Sequence, residues 1–139
     1  MATSVHDVFE AFRRAPSNYE RGAKFEKLMA QYLLLDPVYG RLFDQVWLWK
    51  EWPGRAGKVD TGIDLVAQEA ETGDLWAIQC KFYEPDHVLS KPDVDSFLSA
   101  SGKHPFAHRL IISTTDKWGP NAEDAVDNQQ IPVQRIGLA

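Results

Sequence analysis

The spacing of hydrophobic residues predicts two helices in the first third of the chain. In residues 4–14, apolar side chains recur three and four positions apart, which places them on one helix face. Residues 22–35 carry a second stripe of this kind, formed by Phe25, Leu28, Met29, Tyr32 and Leu33. Pro37 ends the second helix, because the residue before a proline avoids helical backbone angles.

The rest of the chain predicts five short strands and two more helices. Aromatic and β-branched runs indicate strands at residues 45–49, 63–67, 75–83, 109–114 and 131–136. A turn at residues 71–74 joins the second and third strands into a hairpin. The two helices follow Pro92 and begin at Pro120, since proline suits the first turn of a helix.

This order of elements predicts an α/β or α+β fold in which helices pack on a mixed β-sheet. Three consecutive strands form an antiparallel meander, and the later strand–helix–strand unit gives a parallel, right-handed crossover. The length of 139 residues fits a single domain. A hydrophobic content of 44% with 25% charged residues is typical of globular proteins and excludes a mainly disordered chain.

Composition narrows the expected compartment. No apolar run approaches the roughly 20 residues that a membrane-spanning helix needs. Cys80 is the only cysteine, so an internal disulfide and a zinc site built from several cysteines are both excluded. A single unpaired thiol favours a reducing, cytoplasmic location.

Charge is distributed unevenly along the chain. The formal net charge of −5 argues against a protein that holds nucleic acid by electrostatics alone. Residues 1–60 carry nine Lys/Arg and eight Asp/Glu, whereas residues 61–139 carry six and twelve. The acidic second half either provides carboxylates for a metal or is an ordinary solvated surface.

Three polar residues occupy the predicted hairpin at positions where a core strand carries apolar side chains. Because side chains alternate along a strand, Gln79 and Lys81 share one face and Cys80 points to the other. Asp64 lies on the neighbouring strand, so the polar groups converge at one end of the hairpin. One interpretation is a buried Asp64–Lys81 ion pair, although such pairs rarely stabilise a core. The other is a site that performs chemistry.

The hairpin segments, DTGIDLVA at residues 60–67 and AIQCKFY at residues 77–83, resemble the PD-(D/E)xK nuclease superfamily, and within it the Mrr-like restriction endonucleases. GAKFE at residues 22–26 resembles the N-terminal helix of that family, whose glutamate points toward the site. The resemblance covers residues 19–136. It implies a restriction-endonuclease-like fold, with a mixed central sheet flanked by helices.

The sequence around the hairpin further resembles the N-terminal nuclease domains of Type ISP restriction–modification enzymes. This likeness implies that residues 1–139 form a single nuclease domain at the N-terminus of a longer polypeptide. A helicase-like translocase, a methyltransferase and a target-recognition domain would follow it. The implied substrate is double-stranded DNA. Many nucleases of this fold need two active sites to cut both strands, so the resemblance to the superfamily implies a transient dimer on DNA.

The resemblance also implies roles for the polar residues. Asp64, Gln79, the backbone carbonyl of Cys80 and Glu26 would hold Mg²⁺, or Mn²⁺ in its place. Lys81 would orient the attacking water and offset the charge that builds on the phosphate. Gln79 stands where the superfamily pattern has Asp or Glu, so the site lacks one negative charge, which Glu26 would supply. The catalytic residues would thus be Glu26, Asp64, Gln79 and Lys81.

Contacts with DNA are less strongly indicated. The loop before the hairpin supplies two candidates, Arg55 and Lys58, which suit a phosphate backbone. An ordinary solvated loop explains both residues equally well. Two alternative functions share the same hairpin: a nuclease-fold module that has lost catalysis and only binds DNA or a partner, and an enzyme that acts on RNA or branched DNA.

The four histidines are predicted to have no role in a zinc site or in acid–base catalysis. His104 and His108 are four positions apart, which on a helix would suit a zinc site. Pro105 lies between them and disfavours a helix, so that ligand geometry is not expected.

Overall fold

Five short strands between residues 43 and 137 form one sheet. The computed structural model describes residues 18–55, 62–84, 86–127 and 129–138, and the side chains from residue 22 onward. The helices are α1 Asn18–Leu35, α2 Tyr39–Leu42, α3 Lys91–Ser101 and α4 Pro120–Val126. The strands are β1 Phe43–Leu48, β2 Leu65–Glu69, β3 Leu75–Lys81, β4 Phe106–Ser113 and β5 Val133–Gly137.

The strands lie in the order β1-β2-β3-β4-β5. Strands β1, β2 and β3 pair antiparallel, and β3, β4 and β5 pair parallel. The predicted meander and the predicted parallel crossover are therefore confirmed. Strand β5 lies at the edge of the sheet and begins directly after Pro132, where a missing backbone donor does least harm.

Helices cover both faces of the sheet, so the domain has two hydrophobic layers. On one face, Phe25, Met29 and Leu33 of α1 pack against β2, β3 and β4. On the other face, Val94 and Phe97 of α3 and Val126 of α4 form the second layer. The apolar stripe along α1 predicts this burial, and the structure confirms it.

Several boundaries differ from the prediction. Helix α2 was not expected, because four residues are too few to show a hydrophobic period. Strand β2 begins at Leu65 and β3 ends at Lys81, so Asp64 and Lys81 lie at the limits of regular pairing. The loop before the hairpin, which contains Arg55, includes a 3₁₀ turn at Pro53–Arg55. The predicted helix at residues 4–14 lies outside the described residues.

None of the described helices is long and apolar enough to cross a membrane.

Candidate active site

Hydrogen bonds to its backbone and to its carboxylate fix Asp64 at the end of the β2–β3 hairpin. Its backbone N–H donates to the carbonyl of Ile78 at 2.9 Å, and its carbonyl accepts from the N–H of Trp49 at 2.9 Å. Its carboxylate Oδ2 accepts from the N–H of Cys80 at 2.8 Å. The Cys80 N–H therefore donates to a side chain and not to a backbone carbonyl of β2, and the regular pairing of β2 with β3 ends there.

Gln79 is buried beside Asp64, with 4% of its surface exposed. Its Nε2 donates to the carbonyl of Gly62 over a long 3.4 Å. Its Oε1 is buried, and within the described part of the chain no group donates a hydrogen bond to it. Buried polar atoms are nearly always paired, so this free acceptor requires an explanation.

Gly62 allows the loop before β2 to approach α3. Its φ of +89° is in the left-handed region that side chains rarely adopt. A Cβ atom at this position would lie 3.0 Å from Ser96 Cβ and 3.1 Å from the Phe97 nitrogen. Because Gly62 has no side chain, the loop packs closely against α3, and this contact closes one wall of the site.

Cys80 presents its backbone to the site and its side chain to the α1 layer. In a strand, alternate residues direct their backbone groups to the same neighbour. The Ile78 carbonyl and the Cys80 N–H both bond Asp64, so the Cys80 carbonyl is on that side as well. Burial, and the charges of Asp64 and Glu26, raise the pKa of the Cys80 thiol well above its usual value, so it stays protonated.

Glu26 reaches the same site from helix α1. A cleft of about 330 Å³ opens between α1, α3 and the end of the hairpin. All five residues predicted for catalysis and metal binding line it: Glu26, Asp64, Gln79, Cys80 and Lys81. The structure therefore brings together side chains that are 55 positions apart in sequence, between Glu26 and Lys81.

The two predicted DNA contacts have a different outcome. Arg55 is partly exposed, and its Nε donates to the carbonyl of Lys50 at 3.0 Å. Arg55 is not among the described residues that line the cleft. Lys58 lies outside the described residues.

Sequence reasoning missed the wall that α3 contributes. Pro92, Asp93 and Ser96 line the cleft opposite Asp64. Asp93 belongs to a capping box with Ser90, in which each side chain bonds the other's backbone N–H. The Ser90-x-x-Asp93 spacing could have revealed the start of the helix. It could not have revealed that this helix end faces Lys81, because that depends on the assembled sheet.

Asp93 also joins a small network at the rim. Its Oδ1 accepts from the Tyr83 hydroxyl at 3.3 Å, and its Oδ2 lies 3.3 Å from His87 Nε2. Burial, the charge of Asp93 and the hydrogen bond to it raise the pKa of Tyr83 to about 12. Burial also acts to raise the pKa of Asp93, but hydrogen bonds from Ser90 and His87 outweigh it and the pKa falls below its usual value.

A family model described as a restriction endonuclease matches residues 34–139. That match covers more than half of the chain. The chain belongs to this restriction endonuclease family. The match includes Asp64, Gln79, Cys80 and Lys81 and begins after Glu26, so Glu26 is connected to the site by its position alone.

Two solved structures resemble the endonuclease domain. The first is an ATP-dependent Type ISP restriction–modification enzyme, LlaBIII, bound to DNA. Its TM-score is 0.78 at 31% identity, and the match covers 99% of this chain but 8% of LlaBIII. The second is the MspJI restriction endonuclease in complex with a 27-mer oligonucleotide, with a TM-score of 0.56 at 17% identity. That match covers 98% of this chain and 30% of MspJI, and it shows the fold alone.

No curated protein matches the sequence of the endonuclease domain. The family match and the structural matches confirm three predictions: the resemblance to Mrr-like and Type ISP restriction endonucleases, the restriction-endonuclease-like fold, and the enzyme class, a DNA endonuclease. The domain corresponds to 8% of LlaBIII, so the match concerns this domain and not the remaining portions of that enzyme.

The endonuclease domain has a second group of side chains that could hold a metal. Glu69, Asp74 and His108 bring one ligand atom each to within 4.8 Å of one another. His108 Nε2 lies 3.3 Å from Asp74 Oδ2 and 3.8 Å from Glu69 Oε1. This group lies at the turn of the hairpin, about 17 Å from Asp64 by the rise of five strand residues. His108 thus lies next to two carboxylates, a grouping that the sequence pattern did not indicate.

Proposed function

We propose that this domain is a Mg²⁺-dependent endodeoxyribonuclease that hydrolyses DNA phosphodiester bonds in the cleft at the end of the hairpin. The observation that carries the proposal is the Oε1 of Gln79, which is buried beside Asp64 and accepts no hydrogen bond from any described residue. An orphaned acceptor of this kind costs free energy in the fold. A cation bound between the two side chains would supply the missing partner.

The donor set fits Mg²⁺, which prefers hard oxygen ligands and keeps several waters. Asp64 supplies a carboxylate, Gln79 an amide oxygen and Cys80 a backbone carbonyl, and Glu26 adds a second carboxylate from α1. The group at the hairpin turn includes the imidazole of His108, which suits transition metals better than Mg²⁺. The cleft is therefore the better position for the catalytic ion.

A bound Mg²⁺ would neutralise charge on the scissile phosphate and make a water nucleophilic at neutral pH. Asp64, Gln79 and the Cys80 carbonyl would hold the ion, with Glu26 completing the charge balance. Lys81 would direct the attacking water toward phosphorus and offset the negative charge that develops on the phosphate oxygens. A flexible ammonium suits this task better than a planar guanidinium.

Delivery of DNA is the second part of the proposal. With a net charge of −5 and carboxylates in the cleft, the domain has little electrostatic attraction for a polyanion. We infer that it acts within a longer restriction–modification enzyme whose helicase-like translocase and methyltransferase portions bring the duplex to it. Arg55 and Lys58 precede the hairpin and would touch the phosphate backbone, and two domains would pair transiently on DNA.

Nicking of supercoiled plasmid by the 139-residue chain at high concentration tests the chemistry. Asp64→Asn is the informative variant, because an amide oxygen can still accept from the Cys80 N–H while the charge is lost. We expect activity in Mg²⁺, none in EDTA, and a loss of about a hundredfold or more in Asp64→Asn. Asp44→Asn, which changes an exposed aspartate on β1, is the matched control and should cut normally.

Each outcome separates the alternatives. Cutting that survives Asp64→Asn would place the chemistry outside the cleft. No cutting by this chain, but Mg²⁺-dependent cutting when it is fused to a sequence-specific DNA-binding domain, would show that delivery is missing. Binding of DNA without cutting in either form would favour a non-catalytic nuclease-fold module.

A further inference from the structure

Tyr83 lies beside the ammonium of Lys81. Lys81 is the last residue of β3 and Tyr83 lies two positions beyond it, and the Lys81 Nζ is 6.0 Å from the centre of the Tyr83 ring. That separation is at the limit of a cation–π attraction. Within the described part of the chain, this ring is the contact made by the ammonium.

Hydrogen bonds to its backbone and hydroxyl, together with a stacked imidazole, hold Tyr83 in place. Its backbone N–H donates to Thr114 Oγ1 at 2.8 Å, and that hydroxyl donates back to the Tyr83 carbonyl at 2.7 Å. The ring stacks on His87, with centroids 4.0 Å apart and planes 23° apart. Its hydroxyl donates to Asp93, whose carboxylate is in turn fixed by Ser90. The ring is therefore a rigid surface next to a flexible side chain.

We propose that Tyr83 is a positioning residue that holds the Lys81 ammonium over the cleft, with Asp93 and His87 fixing the plane of the ring. The inference rests on the proposed nuclease function, in which Lys81 must be near the attacking water. A lysine has four rotatable bonds, and an aromatic face restricts where its charge resides. The hydroxyl serves to orient the ring, and the ring serves to orient the ammonium.

Variants of Tyr83 separate these two contributions. Tyr83→Leu removes the aromatic face, and we expect the single-turnover cleavage rate at saturating DNA to fall about tenfold. Tyr83→Phe keeps the face and loses the hydroxyl bond, so its rate should fall by about threefold or less. DNA affinity in EDTA should not change in either variant, because Tyr83 is proposed to act through Lys81 and not on DNA.

Trp118→Leu is the matched control. The Trp118 ring lies 4.7 Å from the guanidinium carbon of Arg135, so this variant also removes an aromatic face from a cation. Unlike Lys81, Arg135 is not among the described residues that line the cleft. The cleavage rate of this variant should equal that of the wild type. An equal loss in Trp118→Leu and Tyr83→Leu would mean that general destabilisation, and not positioning, explains the effect, and would overturn the proposal.

A readout without catalysis tests the placement directly. The lysines are methylated with ¹³C and observed by NMR, and the Lys81 signal is identified by its absence in Lys81→Arg. The ring current of Tyr83 should displace this signal from those of exposed lysines in the wild type and in Tyr83→Phe, and the displacement should vanish in Tyr83→Leu. An unmoved signal in Tyr83→Leu overturns the proposal. A moved signal with no cleavage by any form would reject the nuclease function and leave the ring's hold on Lys81 standing.

Discussion

Gln79 is the residue at which stability and function conflict most clearly. Its Oε1 is buried without a donor among the described groups, and such an atom costs about 1–3 kcal/mol. A natural core would place an apolar side chain there. The retention of a polar group in β3 is explained if the acceptor serves a bound cation.

Gln79→Met should therefore stabilise the metal-free fold while removing the response to metal. Methionine is of similar shape, and its loss of the long bond to Gly62 is small, so we expect a gain of about 1 kcal/mol in the free energy of unfolding in EDTA. Urea unfolding measures this gain. Added Mg²⁺ should raise the melting temperature of the wild type and leave that of Gln79→Met unchanged. A variant that is less stable in EDTA and still responds to Mg²⁺ would contradict this role.

Tyr83 makes the free energy of unfolding depend on pH in the alkaline range. Its pKa of about 12 in the fold exceeds the value of about 10 for a free tyrosine. The protonated phenol is therefore favoured in the native state, and its contribution is complete below about pH 10 and is lost as the pH rises toward about 12. The difference in unfolding free energy between the wild type and Tyr83→Phe should shrink across that range. A difference that stays constant would show that the phenol does not titrate this way.

The polar residues of the site could be predicted from the sequence to different degrees. Strand alternation places Gln79 and Lys81 on one face, and the hairpin turn places Asp64 next to them, so local rules are enough. Glu26 needed the family resemblance, because an exposed helix glutamate is otherwise the default. Asp93 could not be predicted, since its approach to the site depends on how the crossover helix packs.

At the scale of elements, Arg109 connects β4 to its neighbours. Its side chain is 1% exposed and donates to the carbonyls of Leu98 and Ile131 and to Gln129 Oε1. It thereby joins the end of α3 to the segment that leads into β5. The sequence does not reveal this role, because arginine is seldom buried and the apolar run that follows it indicates only a strand.

Arg109→Met should destabilise the domain by about 3 kcal/mol, because buried carbonyl groups lose their donors. Arg135→Met is a suitable control, since Arg135 is exposed and its ion pair with Glu123 is at the surface. We expect that control to cost less than about 1 kcal/mol. Urea midpoints of the two variants supply the comparison, and equal losses would show that Arg109 has no special structural role.

Most elements could be predicted, and the errors have physical causes. Helix α1 and strands β1 to β5 follow from apolar periods that are long enough to recognise. Helix α2 has only four residues, so it carries no period. Strand β2 is shorter at its start than its apolar pattern, because the carboxylate of Asp64 takes the place of a backbone partner.

At the scale of the whole molecule, the strand order follows from connection rules. A short turn makes an antiparallel pair, and a helix between strands makes a parallel one. What these rules leave open is where α1 and α3 end relative to the sheet. That placement creates the cleft, since Glu26 comes from one helix and Asp93 from the other.

Cleavage and DNA binding measured on the same samples test the central claim most directly. Lys81→Met and the matched Lys103→Met, which changes an exposed lysine before β4, are compared with the wild type in Mg²⁺. We predict that the wild type and Lys103→Met cut plasmid at equal rates, while Lys81→Met binds DNA as well but cuts about 10²–10³-fold more slowly. Cutting by Lys81→Met at the wild-type rate would contradict the assignment of the cleft as the active site.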